Sequence, residues 1–252
     1  MLRNTFLHIP GVGRTTERLL WERGYPDWEA LLANLEEAPL GTASKADAKD
    51  VLERSIASLA TGEHQFFAKA LGLNDAWRAF PEFRESCVYL DIETDGGYEG
   101  ESVTMCGLYD GRNFRALIKD DDLHLLPDAL SCYSMIVTFF GSGFALPMLQ
   151  KKFWNLRYDQ LHLDLCPTLK RLGIRGGLKR IEKQLGIARG DETDGLTGLD
   201  AVKLWREWLG GSAKSLEVLV EYNREDVVNL EKLAEIAYAK MRAATMPAGR
   251  LV

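Results

Sequence analysis

The sequence lacks long apolar runs, close cysteine pairs and internal repeats. No apolar run approaches the roughly 20 residues that a membrane-spanning helix needs, and the first residues show no basic stretch followed by an apolar one. We therefore expect a protein that is neither anchored in a membrane nor secreted. The four cysteines are scattered and form no CxxC pair, which favours free thiols and a cytoplasmic location.

The chain also lacks an excess of basic charge. Its 31 lysines and arginines are outnumbered by 37 aspartates and glutamates, which gives a formal net charge of -6. This balance argues against a protein that coats nucleic acid over its whole surface, but it allows a local basic groove beside an acidic site. With 252 residues, 46% of them hydrophobic, the chain can form one large domain or a large and a small one.

The residue pattern changes near residue 85. Residues 1–84 place apolar residues at helical spacing, interrupted by glycine and proline, and predict a small all-α domain. Residues 85–252 predict an α/β domain with a mixed sheet flanked by helices. The predicted strands are residues 86–91, 102–109, 113–118, 135–140 and 161–165. Helices are predicted near 121–131 and 145–152, from 168 onward, and over 215–241.

Two pairs of residues carry the candidate chemistry. Asp91 and Glu93 lie two positions apart at the end of the first strand, so both carboxylates point to the same face. Tyr222 and Asp226 lie one turn apart on the last helix. Either pair alone is more often a solvated turn or helix face than a site. Together, in this order and after an apolar strand, they favour a catalytic site.

These motifs resemble the DEDD exonuclease superfamily in its tyrosine-bearing branch, particularly the predicted RNase H-like exonucleases of bacteria and archaea. The resemblance covers about residues 86–240. It rests on five segments: DIET (91–94), VTFFGSGFALPML (137–149), HLDLCPTLKRLG (162–173), LKRIEKQLGI (178–187) and YNREDVVNL (222–230). The resemblance implies an RNase H-like fold and a 3′→5′ exonuclease activity.

The resemblance also implies an active site with two divalent ions held by four carboxylates. Asp91 would bridge both ions, Glu93 and Asp226 would complete the ion that activates water, and Tyr222 would orient that water. Oxygen ligands of this kind select Mg²⁺ or Mn²⁺. Two ions about 4 Å apart would activate the water and stabilise the leaving 3′ oxygen.

The second motif departs from the family pattern. Ala145 stands where the family has a metal-binding aspartate, and Phe140 stands in place of an asparagine. Because alanine cannot coordinate a cation, we expect weak binding of the second ion and low activity. A deliberate Asp→Ala substitution is the favoured explanation, while natural loss, or replacement by Asp164, is the alternative. Asp164 is therefore a candidate metal residue, or else the N-cap of the helix that follows it.

Residues 8–32 look like a helix-hairpin-helix motif, in which backbone N–H groups bind a DNA phosphate. Its candidate contacts are Gly11, Gly13, Arg14 and Thr15, and the alternative is an ordinary helix pair in an interaction domain. In the second domain a basic segment follows Asp164 and predicts a phosphate-binding wall. The candidates for nucleic-acid contacts there are Gly141, Phe144, Lys170, Arg171, Arg175, Lys179 and Arg180.

The favoured substrate is DNA, single strands above all, since the helix-hairpin-helix motif binds DNA. An exoribonuclease and a catalytically dead nucleic-acid-binding protein are alternatives, and a helical interaction protein is the least favoured. Aromatic rings for stacking a terminal base could come from Phe139, Phe140, Phe144 or Trp154, although apolar aromatics more often belong to the core.

Overall fold

A five-stranded mixed sheet forms the centre of the structure, a computed structural model that describes residues 1–246. The strands are β1 Cys87–Thr94, β2 Val103–Tyr109, β3 Phe114–Ile118, β4 Met135–Thr138 and β5 Leu161–Asp164. Their order across the sheet is β3-β2-β1-β4-β5. The first three strands form an antiparallel meander, and β4 and β5 are parallel to β1. The five predicted strands and the mixed sheet are confirmed, although β1 is longer and β4 shorter than predicted.

Helices precede the sheet and cover it. They are α1 Arg14–Glu22, α2 Trp28–Ala33, α3 Lys45–Thr61, α4 His64–Ala70, α5 Phe80–Phe83, α6 Leu126–Ser131, α7 Ala145–Lys152, α8 Leu165–Arg171, α9 Leu178–Gln184, α10 Gly198–Leu209 and α11 Ala213–Thr245. The helix predicted over 215–241 is confirmed as the central part of α11. No helix within residues 1–246 is long and apolar enough to span a membrane.

The alternation of side chains along β1 explains how the sheet is covered on both faces. Leu90 and Ile92 point to one face and pack in a core with residues of α6 and α7. Tyr89 points to the other face and packs in a second core that includes residues of α8 and α11. Asp91 and Glu93 share the face of Tyr89, so the alternation that buries the strand also brings both carboxylates under α11.

The N-terminal helices share the second of these cores with the sheet. Leu20, Trp28 and Phe67 belong to the same buried cluster as Val137 of β4 and Leu163 of β5. Trp28 and Phe67 stack with their rings 5.9 Å apart. The sequence changes from helices to strands near residue 85. The apolar core, however, contains residues from both sides of this point.

The hairpin predicted at the start of the chain precedes α1 directly. Gly13 is the N-cap of α1, and the Asp27 carboxylate caps α2 by accepting from the Ala30 amide at 2.8 Å. Gly11 has a φ of +84°, and an added Cβ would lie 3.1 Å from Cα of Ala43, so glycine is needed in this turn. Both predicted helices are present, but only a 3₁₀ turn, Leu2–Asn4, precedes the hairpin.

Candidate active site

Three carboxylates from β1 and α11 form a cluster at the centre of the sheet. Asp91, Glu93 and Asp226 each offer an oxygen, and these atoms lie within 4.8 Å of one another. Glu93 and Asp226 are buried and Asp91 is half-buried. Among residues 1–246 this is the one group of three or more such side chains that could hold a metal ion. The fold thus brings together carboxylates that are far apart in the sequence.

Burial raises the pKa of all three carboxyl groups, and neighbouring carboxylates add to the effect. Burial raises the pKa of Asp91 well above its ordinary range, and the charge of Asp226 adds to this effect. Burial does the same for the pKa of Glu93, with Asp91 and Asp226 as the neighbouring charges. Burial raises the pKa of Asp226 to about 6, although Arg189 opposes the shift. The carboxyl groups are therefore harder to ionise than usual, and a bound cation would stabilise their ionised forms.

The donor set fits a hard divalent ion such as Mg²⁺ or Mn²⁺. Three carboxylates provide oxygen ligands without sulfur or imidazole, which is the chemistry that these ions select. Ala145, by contrast, begins α7 and is buried in the apolar core. Its methyl group offers no ligand, so the residues present fit one ion better than two.

Arg189 is bonded directly to the cluster. Its Nη2 donates to an oxygen of Asp226, and its Nε and Nη2 also donate to Glu182 at 2.7 and 2.9 Å. Asn229 donates to Glu182 as well, at 3.0 Å. The Arg189 and Glu182 side chains are 5% and 1% exposed, so this pair is desolvated and holds Asp226 in place. One sequence signal points to this pair, since Glu182 is the only acidic residue in the basic segment 168–189.

Lys179 lies over the aromatic ring of Tyr222. Its Nζ is 3.9 Å from the ring centroid and donates to the Leu196 carbonyl. Its positive charge lowers the pKa of Asp91, Glu93 and Asp226 alike. Tyr222 stands one turn before Asp226 on α11 and is buried, which raises the pKa of its phenol. The expected tyrosine and the expected lysine are thus both beside the carboxylates.

Asn223 is a neighbour of the site that sequence reasoning missed. Its Nδ2 donates to Glu93 at 3.1 Å, and its side chain is fully buried. Gly107 of β2, which pairs with Asp91, leaves the space that Asn223 needs, since an added Cβ would lie 1.8 Å from Oδ1 of Asn223. A glycine inside a buried strand next to DIET was the available signal.

Asp164 lies outside the carboxylate cluster and stabilises the loop after β4. It is the N-cap of α8, accepting from the Cys166 amide at 3.1 Å, as one of the two interpretations predicted. Its oxygens also accept from the amides of Phe140 and Ser142 at 2.8 and 3.0 Å, and from the Ser142 hydroxyl. Because these donors engage both oxygens, Asp164 is not placed to replace the missing ligand at Ala145.

The loop that Asp164 holds exposes one aromatic ring. Phe140 has a φ of +62° and is 53% exposed, whereas Phe139 and Phe144 pack against the two cores. Gly141 is required in this loop because an added Cβ would lie 2.2 Å from Oγ1 of Thr138. Trp154 is 90% exposed after α7.

The predicted nucleic-acid contacts fall into two groups. Arg14 and Arg171, from the hairpin and from α8, line one cavity of about 310 Å³. Both have intramolecular partners: Arg14 binds Asp75 at 2.8 Å, and Arg171 donates to the Asn74 carbonyl. Lys179 and Arg180 line another cavity, of about 790 Å³. The remaining charged, polar and hairpin glycine candidates are exposed: Gly11, Gly13, Thr15, Lys170 and Arg175.

A mixed sheet of this order with carboxylates on its central strand defines an RNase H-like protein. The comparison with known families agrees: the chain matches a model of the RNase_H superfamily over residues 88–238, more than half of its length. The chain therefore belongs to the RNase H superfamily. No curated protein matches it. Membership indicates a nuclease, a hydrolase that acts on nucleic acid and generally uses divalent metal ions.

Proposed function

We propose that this protein is a metal-dependent 3′→5′ exonuclease acting on DNA, with single strands as the favoured substrate. One observation carries the proposal: Asp91, Glu93 and Asp226 meet within 4.8 Å, and Tyr222 stands one turn before Asp226. Three carboxylates beside a tyrosine are the side chains that the resemblance to the tyrosine-bearing DEDD exonucleases implies for the active site. The exposed hairpin at Gly11 and Gly13 favours DNA over RNA. The scattered free cysteines favour a cytoplasmic location.

The chemistry of phosphodiester hydrolysis explains the roles of these side chains. A divalent ion, when bound, supplies the charge that makes water a better nucleophile and stabilises the leaving group. Asp91, Glu93 and Asp226 would hold that ion, and the Tyr222 hydroxyl would orient the water. The oxygen of the water bonds to phosphorus while the bond from phosphorus to the 3′ oxygen breaks. One proton of the water ends on the 3′ oxygen, and the released nucleotide keeps the hydroxyl as part of its 5′-phosphate.

Ala145 sets the expected activity of this particular chain. Because a methyl group replaces the fourth carboxylate, a second ion would lack one of its ligands and bind weakly. We therefore infer that this chain hydrolyses phosphodiesters slowly. The same loss also supports the second candidate function, a nucleic-acid-binding protein that no longer cleaves.

Restoring the carboxylate separates the two candidates. The native chain, Ala145→Asp and Ala145→Asn are compared on 3′-labelled single-stranded DNA and RNA with Mn²⁺. We expect Ala145→Asp to release labelled nucleotides faster than the native chain, and Ala145→Asn, which adds similar bulk without charge, not to do so. If Ala145→Asp binds DNA but releases no nucleotide, the protein is a binding protein and the enzyme proposal is wrong.

A further inference from the structure

We propose that Lys179 is a catalytic residue that contacts the scissile phosphate and supplies the positive charge that a second, weakly held ion would otherwise supply. This inference rests on the proposed nuclease function. The sequence predicts Lys179 only as one of several basic residues that contact phosphate, but the structure brings it beside the carboxylates.

The position of Lys179 is defined by helix α9 and by the ring beneath it. Its Nζ lies 3.9 Å from the centroid of the Tyr222 ring, where a cation is attracted by the aromatic face. The hydroxyl of the same tyrosine is proposed to orient the attacking water, so the ammonium group would stand beside the reacting atoms. Lys179 is the cation whose charge acts on Asp91, Glu93 and Asp226 together.

Arg189, the other cation at the site, has a different role. Glu182 neutralises it through two hydrogen bonds, and a third bond fixes Asp226. Lys179 forms no salt bridge within residues 1–246, and its one hydrogen bond is to the Leu196 carbonyl. An ammonium group has three donors. The Leu196 carbonyl takes one donor and the Tyr222 ring lies against the group, so the side directed away from the ring remains for an anionic ligand.

A count of charges shows why a cation is needed here. Three carboxylates carry three negative charges, and one divalent ion carries two positive ones, so the loaded cluster would still repel a phosphate. Glu182 already balances Arg189, which leaves Lys179 to balance the remaining charge. A fixed ammonium group also stabilises charge that develops on the phosphate oxygens during reaction.

Lys179 is accessible to a ligand from one side. It lines the cavity of about 790 Å³ together with Arg180, Lys183 and Thr197. Pockets of roughly 300 to 1,000 Å³ accommodate small organic ligands, so a terminal nucleotide fits this volume. Arg189, which binds Asp226, lines the same cavity, so the cavity lies next to the carboxylate cluster.

The test compares Lys179→Met with Lys179→Arg and with Lys240→Met, an exposed lysine near the end of α11 that lies outside this cavity. Mn²⁺ affinity is measured by calorimetry without nucleic acid, and cleavage of 3′-labelled DNA is measured in the native chain and in Ala145→Asp. We expect Lys179→Met to bind Mn²⁺ roughly threefold or more tightly, since a repelling charge is gone. We also expect it to cleave on the order of a hundredfold more slowly. Lys179→Arg should retain most of the cleavage, and Lys240→Met should change neither property.

A merely structural lysine would not strengthen Mn²⁺ binding while slowing cleavage. The proposal is overturned if Lys179→Met cleaves as fast as Lys240→Met, or if its Mn²⁺ affinity is unchanged or weaker. Absence of cleavage by both the native chain and Ala145→Asp is a different result: it refutes the proposed nuclease function, and the catalytic role of Lys179 with it.

Discussion

Two buried charged clusters in this molecule differ in their balance of charge. In the N-terminal helices Arg78 binds Glu17 at 3.0 Å and Asp75 at 3.2 Å, and Arg14 also binds Asp75. Arg78 is fully buried there, and Thr5 donates a further hydrogen bond to Glu17 at 2.7 Å. Two guanidinium groups thus match two carboxylates.

The cluster on β1 and α11 is not balanced in this way. Five carboxylates, Asp91, Glu93, Asp226, Glu182 and Glu225, face Arg189 and Lys179, which leaves an excess of three negative charges when all five are ionised. A buried charge that lacks a partner is unfavourable and is retained where function needs it. Charge balance thus separates the structural cluster from the site, where one divalent ion would cancel most of the excess.

Removing the cation from the balanced cluster gives the largest expected effect on stability. Arg78→Met leaves Glu17 buried without its partner and should lower the free energy of unfolding by about 3–5 kcal/mol. Urea denaturation measures this, with Arg18→Met, which removes an exposed arginine of the same helical region, as the control. A loss of under about 1 kcal/mol would show that the N-terminal cluster is not structural.

Asp164 provides a third case, a carboxylate satisfied by hydrogen bonds alone. Asp164→Ala removes the acceptor for Phe140, Ser142 and Cys166 and should lower the free energy of unfolding by about 2 kcal/mol. Because Asp164 lies outside the cluster, Mn²⁺ affinity measured by calorimetry should stay unchanged. If the folded variant lost much of its Mn²⁺ affinity, Asp164 would have to be a metal ligand.

The unbalanced cluster makes stability depend on pH and on metal. A carboxyl group whose pKa is raised by folding binds protons more readily in the folded state, so stability falls as pH rises from the unfolded towards the folded pKa. For Asp226 this range runs from 3.8 to about 6. In EDTA the free energy of unfolding should therefore fall between pH 5 and pH 7, by about 1 kcal/mol or more from this cluster.

Saturating Mn²⁺ should abolish that fall, because a bound cation stabilises the ionised carboxylates. Thermal or urea unfolding at both pH values, with EDTA and with Mn²⁺, measures the difference. Equal pH dependence in the two conditions would contradict an unbalanced cluster.

Glu93→Gln gives the smallest of these effects, with the opposite sign to Arg78→Met. In EDTA the variant should be more stable than the native chain by about 1 kcal/mol, because one like charge is removed while the amide oxygen can still accept from Asn223. In Mn²⁺ the native chain should become the more stable of the two. Urea denaturation in both conditions measures the reversal, and destabilisation in EDTA would contradict it.

Much of the fold follows from local patterns. Alternation along β1 and helical spacing along α11 predict the elements and place Asp91 with Glu93, and Tyr222 with Asp226, on common faces. The bond from Arg189 to Asp226 could not be predicted, because it depends on how a segment after α9 packs against α11 rather than on any local period. The left-handed backbone of Phe140 is equally non-local, since Asp164 of another strand holds the loop.

The measurement that most directly tests the carboxylate site is a calorimetric titration of the apo protein with Mn²⁺ at pH 7. The native chain, Asp91→Asn and Asp121→Asn, an exposed aspartate outside the cluster, are compared. We predict that the native chain and Asp121→Asn bind Mn²⁺ equally well and that Asp91→Asn binds it far more weakly. Failure of the native chain to bind Mn²⁺, or equal binding by Asp91→Asn, would contradict a metal site formed by Asp91, Glu93 and Asp226.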